Sequence, residues 1–110
     1  MKAIPRKLLN DTVTFTPKGS MDSWGVVTDG TPVTLQYVRL EKIKKNAYNS
    51  LGEAIEDKAT LFFDIINSYP QVSFNKGDKI THEGEEFTIR EIDILKATRN
   101  RIHHFEIALV

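Results

Sequence analysis

Apolar and polar positions alternate with a period of two along much of this chain, which is typical of β-strands with one face on a core. The clearest case is the segment 77–110, which reads as a strand, a tight turn, a long strand, a basic loop and a last strand. In that last strand, Phe105, Ile107 and Leu109 are each separated by one polar or small residue. We predict that these strands form the scaffold of a small β-domain.

Two of the predicted strands lose their alternation by one residue. In the long strand, Phe87 and Ile89 share a face, and the pattern slips before it resumes at Ile92 and Ile94. In an earlier strand the pattern slips after Tyr37. A slip of one residue indicates a β-bulge, and bulges bend a sheet toward a barrel. We therefore predict a mainly β fold, a small antiparallel SH3-like barrel of about five to seven strands.

The segment 59–66 is apolar on both faces, and Phe62 and Ile66 belong to the second face. A small barrel has only one interior, so the second face needs a cover. The N-terminal segment 4–9 is one candidate, because Pro5 favours a short helical turn there. A neighbouring subunit is the other candidate, and the chain's own segment is the simpler expectation.

A long inter-strand loop, 42–58, has no strand period and contains a glycine. It exceeds the roughly 12 to 15 residues of an ordinary structureless connection, so we expect it to be functional or mobile. Four of its apolar residues are spaced four apart, which is compatible with helical turns: Ile43, Ala47, Leu51 and Ile55.

Length and composition favour a single domain over residues 1–110, which buries about two thirds of its unfolded surface. Cysteine is absent, which excludes disulfides, a thiolate nucleophile and cysteine-based metal sites. The N-terminus has charges and a proline where a signal peptide needs an apolar run, and no other run is long enough to span a membrane. We expect no membrane partner.

The formal net charge is zero, from 15 basic and 15 acidic residues, which argues against a dedicated nucleic-acid binder. Residues 1–45, however, carry eight Lys or Arg against four Asp or Glu, and 46–110 carry seven against eleven. If the fold keeps these halves apart, copies can meet head to tail through complementary fields. A well-mixed charged surface is an equally good interpretation.

Residues with catalytic or metal-binding potential do not form a recognisable set. His103 and His104 are neighbours in a strand, so their side chains should point to opposite faces and need a further ligand, such as His82, to hold a metal. The acids Glu85 and Glu86 flank a turn and are best explained as solvated charges. We predict no catalytic residue, no metal and no cofactor, and hence a protein that is not an enzyme.

Two basic clusters support an alternative, a small barrel that binds nucleic acid through its basic tip. One cluster precedes the last strand, with Lys96, Arg99 and Arg101, and the other begins the long loop, with Lys42, Lys44 and Lys45. Trp24, the single tryptophan, is either an exposed anchor for a partner or a partly buried ring that fixes its loop, the more common outcome.

The order of several structural phrases resembles that of small minor capsid proteins of tailed phages and prophages, which are similar to head-completion (head-closure or "stopper") proteins. The resemblance spans Ile4 to Val110, and the phrases are IPRKLL, PVTLQYVRLE, LFFDIINSYP, FNKGDKITHEGEEFTIREID and HHFEIALV. In those genomes the genes lie between the capsid and tail genes.

The resemblance implies a structural virion protein, made in the bacterial cytoplasm and located at the head–tail junction. It implies a homo-oligomeric ring on the portal, with portal or adaptor and tail-joining proteins as partners and contact with packaged DNA as a further possibility. The long loop would line the channel and contact DNA or a neighbouring subunit through Lys42, Ile43, Lys44, Lys45, Tyr48, Leu51 and Ile55. Partner docking is assigned to Trp24, Lys96, Arg99 and Arg101.

Overall fold

Six antiparallel strands close into a barrel in the computed structural model, which describes residues 4–19, 24–25, 30–43, 57–97, 99 and 101–110. The strands follow a 3-10 helix (Arg6–Leu8) and are β1 (Asp11–Thr16), β2 (Val33–Lys42), β3 (Ala59–Asp64), β4 (Lys79–His82), β5 (Glu85–Lys96) and β6 (Ile102–Leu109). Around the barrel the order is β1-β2-β3-β6-β5-β4, and β4 pairs with β1 to close it. The predicted antiparallel barrel with a short N-terminal helical segment is confirmed.

The interior is filled by the apolar residues whose alternation predicted the strands. Successive side chains of a strand point to opposite faces, so every second residue of β1, β3 and β6 can reach the core. Phe74, in the connection between β3 and β4, adds a ring to this core, in edge-to-face contact with Phe15 at 5.2 Å and Phe63 at 5.3 Å between centroids. The buried strand residues are Val13, Phe15, Leu35, Val38, Ala59, Leu61, Phe63, Ile80, Phe87, Ile89, Ile107 and Leu109.

Both predicted bulges are present. Val13 of β1 pairs with Leu35 of β2, and Asp11 pairs with Val38, so β2 has one residue more than β1 between these two pairs. Tyr37, within this bulge, has a φ of 55°, in the left-handed region that non-glycine residues rarely adopt. In β5 the extra residue is Arg90, because Ile89 and Glu91 pair with the consecutive residues Leu109 and Ala108 of β6. Each bulge increases the local twist and bends its strand, which helps six short strands to close.

β3 ends at Asp64, two residues before its apolar run ends. The Asp64 carboxylate accepts hydrogen bonds from the backbone N–H groups of Ile66 at 3.0 Å and Asn67 at 2.8 Å, which turns the chain. Ile66 lies in this turn and is 72% exposed. The expectation that Ile66 needs a cover on the second face of β3 is therefore wrong.

The N-terminal segment (residues 4–9) covers part of the outer face of β3, as the simpler of the two expectations proposed. The Ile4 N–H donates to Asp64 Oδ1 at 3.0 Å, and Asn67 Nδ2 donates to the Ile4 carbonyl at 2.8 Å. Phe62, the residue of β3 that points outward beside Asp64, is half-buried. The chain thus supplies its own partial cover for this apolar position.

Asp64 connects this cover to the bulge of β2. The Asp64 backbone N–H donates to Ser68 Oγ at 2.8 Å, and the Ser68 hydroxyl donates to the Tyr37 carbonyl. Asp64 and Ser68 are both buried. Buried polar groups are stable only when they are hydrogen-bonded, so this network fixes the N-terminal segment, the turn after β3 and the bulge relative to one another.

Replacing Asp64 with alanine should destabilise the fold by about 3 kcal/mol, because three part-buried backbone N–H groups lose their acceptor, at about 1 kcal/mol each. Urea unfolding followed by circular dichroism measures this difference. The matched control is Asp93→Ala on the exposed face of β5, which should change stability by less than about 0.5 kcal/mol. Equal effects of the two substitutions would contradict the role given to Asp64.

Candidate functional site

Three cations cluster in the turn between β5 and β6, as the sequence predicted. Lys96, Arg99 and Arg101 are all exposed, and none of them forms an ion pair with another described residue. A backbone hydrogen bond of 2.7 Å from Ala97 N–H to the Arg101 carbonyl closes the turn. We call Lys96, Arg99 and Arg101 the basic tip.

The second predicted cluster begins at Lys42, where β2 runs into the long loop. Lys42 Nζ lies 2.9 Å from the Glu85 carboxylate. Lys42 donates a hydrogen bond to the Glu85 carboxylate, and this bond, together with the negative charge of Glu85, raises the pKa of Lys42. At the other end of the loop, Asp57 binds the Arg90 guanidinium through two hydrogen bonds of 2.5 and 2.9 Å, which raise the pKa of Arg90. Two side chains of β5 therefore hold both ends of the loop.

Most of the residues predicted to line a channel lie outside the described part of the chain: Lys44, Lys45, Tyr48, Leu51 and Ile55. The helical turns predicted for the loop also lie there. Ile43 is half-buried, and its N–H donates to the Lys58 carbonyl at 2.8 Å, so it continues the pairing of β2 and β3. The contacts assigned to the loop residues stay predictions.

Lys42 and the basic tip lie at opposite ends of β5. Lys42 contacts Glu85, the first residue of this strand, and the basic tip begins at Lys96, its last. A strand of 12 residues spans about 36 Å at its rise of about 3.3 Å per residue. Lys42 and the basic tip do not form one continuous patch, and Lys42 is already paired. Because Lys44 and Lys45 lie outside the described residues, the nucleic-acid alternative stays a prediction.

The two neighbouring histidines lie on the same side of the sheet, contrary to prediction. His103 is the extra residue where the register of β5 and β6 shifts, between the pairs Leu95–His104 and Lys96–Ile102. The bulge rotates the His103 side chain toward that of His104, and the Nδ1 atoms of the two rings lie 2.7 Å apart. Even so, the described residues contain no group of three side chains that could hold a metal ion.

Exposed apolar side chains are the feature that the sequence pattern missed. Ile94 belongs to the inward phase of β5, opposite Phe105, yet it is 52% exposed. β4 pairs with β5 only from Glu85 to Thr88, so the last part of β5 extends beyond the barrel wall. Trp24 is 88% exposed, and the expectation of a partly buried ring is wrong. Its use in partner docking stays a prediction.

A shallow apolar groove lies where the N-terminal segment meets the outer faces of β2 and β3. It encloses about 220 Å³ and is lined by Ile4, Leu8, Leu9, Arg39, Glu41 and Phe62. Arg39 and Glu41 form an ion pair of 2.6 Å along one side. The groove offers apolar contact but no converging set of polar groups for chemistry on a substrate.

Among the described residues, no helix is long and apolar enough to cross a membrane.

Comparison with known proteins identifies one family. A family model described as "Minor capsid protein" matches residues 5–109, which include every strand of the barrel. None of the curated proteins that were compared matches the chain.

Trp24 is the single tryptophan, so the tryptophan fluorescence of the protein reports the environment of this one ring, which is 88% exposed. We expect a red-shifted emission maximum, typical of a hydrated indole, and efficient quenching by acrylamide. Urea unfolding should change both quantities only slightly, since the ring is hydrated in the folded state already. A blue-shifted, protected emission in the folded protein would contradict the exposed position.

Proposed function

Since the chain belongs to the minor capsid protein family, we propose that it is a head-completion protein of a tailed phage. In this role it assembles as a ring on the portal, helps to retain the packaged DNA and joins the head to the tail. Family membership makes the protein a structural component of the phage virion; the position at the head–tail junction is our addition. The match over residues 5–109 carries the proposal, because it covers the whole barrel.

The family favours a structural role over catalysis, and the surface described above suits that role. The parts that face outward are a groove, an exposed tryptophan, a basic tip and the two held ends of a long loop, all of which can contact other proteins. A ring is built from heterologous contacts, in which one patch of a subunit meets a different patch of the next. The groove and the basic tip are two different surface patches of the barrel that can supply such a contact.

The loop supports a position next to a channel. Residues 44–56 connect Ile43 and Asp57, and a chain of this length can extend at most about 22 Å from its base, at about 3.4 Å per residue out and back. The base is held by the ion pairs of Lys42 with Glu85 and of Asp57 with Arg90. In a ring, loops with this reach could meet at the central opening, which is how we propose that the protein retains DNA.

Inactivation of the gene in the intact phage should give heads that lack tails and have lost their DNA, because the junction is left open. Electron microscopy of the lysate, together with nuclease sensitivity of the packaged DNA, measures both effects. The wild-type gene supplied from a plasmid should restore tailed particles. Normal yields of complete, infectious particles without the protein would contradict the head-completion role.

Replacement of residues 44–56 by a short Gly-Ser linker should lower the melting temperature of the purified protein by no more than a few degrees, since the length of a surface loop contributes little to stability. The same variant should fail to restore DNA retention or tail joining. A control loop with the same 13 residues in shuffled order separates the effect of sequence from that of length. A shortened protein that unfolds, or one that restores full infectivity, would exclude the channel-lining role.

A further inference from the structure

Beyond the end of β4, the outer edge of β5 has backbone groups that bond to no other described residue. The N–H and C=O groups of Val110 both bond to Thr88 of β5. Counted back from Val110, every second residue of β6 therefore directs its backbone groups toward β5. Their partners in the register are Glu91, Asp93 and Leu95, whose backbone groups are therefore used within the β5–β6 pair. The N–H and C=O groups of the residues between them point to the other edge.

Those residues are Ile92 and Ile94, and no described residue bonds to their outward backbone groups. An edge of this kind is a template for another strand. Ile94 adds an apolar side chain that is 52% exposed, whereas Ile92 is half-buried against the core. The free edge of β5 thus combines open hydrogen-bonding groups with exposed apolar surface.

Charge along this edge is distributed unevenly. Glu91 and Asp93 precede Ile94, and the basic tip follows it. Glu91 also forms an ion pair of 3.5 Å with Lys76 of its own chain, whereas Asp93 has no cation among the described residues within ion-pair distance. Asp93 lies directly opposite Glu106 of β6, a cross-strand pair of like charges that destabilises a sheet unless a cation is near. The edge therefore has an acidic half and a basic half, with Ile94 between them.

We propose that the free edge of β5 pairs with the same edge of a second copy, antiparallel and across a two-fold axis at Ile94. A two-fold contact requires a surface that is complementary to itself. Antiparallel pairing places the basic tip of each copy beside Glu91 and Asp93 of the other, whereas parallel pairing places like charges side by side. The proposal goes beyond the function proposed above and holds or fails independently of it.

The register follows from the same residues. Pairing Ile94 with Ile94 of the second copy brings the two exposed apolar side chains together and lets the outward groups of Ile92 and Ile94 bond. A register shifted by one pair, with Asp93 at the axis, would set two Asp93 carboxylates opposite each other. The Ile94 register avoids this repulsion and places Asp93 opposite Leu95.

Another edge among the described strands is a poorer partner. β2 extends beyond β1 from Arg39 to Lys42, but the N–H of Leu40 already donates to Asp11 Oδ2 at 2.9 Å. A nucleic acid could bind the basic tip, yet it would leave Ile94 and the outward backbone groups uncovered. A strand with an apolar centre and opposite charges at its two ends satisfies all three features, and β5 is such a strand.

Charge reversal tests the proposal. The tip-reversed variant is Arg99→Glu with Arg101→Glu, and the edge-reversed variant is Glu91→Lys with Asp93→Lys. Sedimentation equilibrium of the purified proteins gives the dissociation constant of the dimer. Each variant alone should dimerise at least about tenfold more weakly than the wild type, because attractive contacts become repulsive in both halves of the interface.

An equimolar mixture of the two variants should dimerise about as strongly as the wild type. In the mixed dimer one tip and the acidic residues beside it keep their original charges, and in the other half of the interface the tip and the acidic residues are both reversed, so both halves attract. Circular dichroism confirms that each variant folds. A wild-type protein that is monomeric at all concentrations, or variants whose mixture stays monomeric, would overturn the proposal. DNA binding by a monomeric wild type, lost in the tip-reversed variant, would assign the basic tip to nucleic acid instead.

Hydrogen exchange of the unmodified protein gives a second test that needs no variant. The amides of Ile92 and Ile94 should exchange slowly at concentrations that favour the dimer and at least about tenfold faster after dilution. The amides of Asp93 and Leu95, which bond to β6, serve as internal controls and should show little dependence on concentration. Fast exchange of Ile92 and Ile94 at every concentration would exclude edge pairing.

Discussion

The buried carboxylate of Asp64 is the interaction on which the arrangement of this barrel depends. It ends β3, accepts the N–H groups of the following turn and holds the N-terminal segment over the outer face of the sheet. Through Ser68 it also reaches the carbonyl of Tyr37, whose left-handed conformation forms the bulge of β2. Arg6 in turn lies 4.3 Å from the centre of the Tyr37 ring. One residue thus links the cover, the turn and the bend that closes the barrel.

The barrel could be predicted because its strands and bulges are visible in the pattern of neighbouring residues along the sequence. A period of two, interrupted once in β2 and once in β5, identifies both the strands and the bulges that bend them. The end of β3 could not be predicted this way, because Ile66 continues the apolar pattern while the turn depends on the Asp64 side chain. Apolar alternation shows which residues suit a strand, but the side-chain hydrogen bonds of a neighbouring residue decide where the strand stops.

The surface features escaped prediction for a different physical reason. A residue whose place in the alternation points toward the barrel interior is buried only if a neighbouring strand covers it. β4 has four residues and β5 has 12, so β4 leaves the last part of β5 uncovered. Ile94 therefore has the pattern of a core residue and the exposure of a surface residue. His103 and His104 show the same limit, because a bulge formed by pairing with β5 places both rings on one side. Both outcomes depend on contacts between strands.

A two-fold contact and a ring make different demands on the same molecule. If β5 pairs across a two-fold axis while other surfaces form a ring, the result is two rings joined back to back, with their tips facing each other. In the function proposed above the ring binds a portal, which presents one binding face, so only one of the two rings could bind it. The edge contact would then have to open during assembly, when a neighbouring component of the virion covers the free edge of β5. Such a contact suits the free protein, because it shields an exposed strand edge and Ile94 from indiscriminate association until the intended partner replaces the second copy.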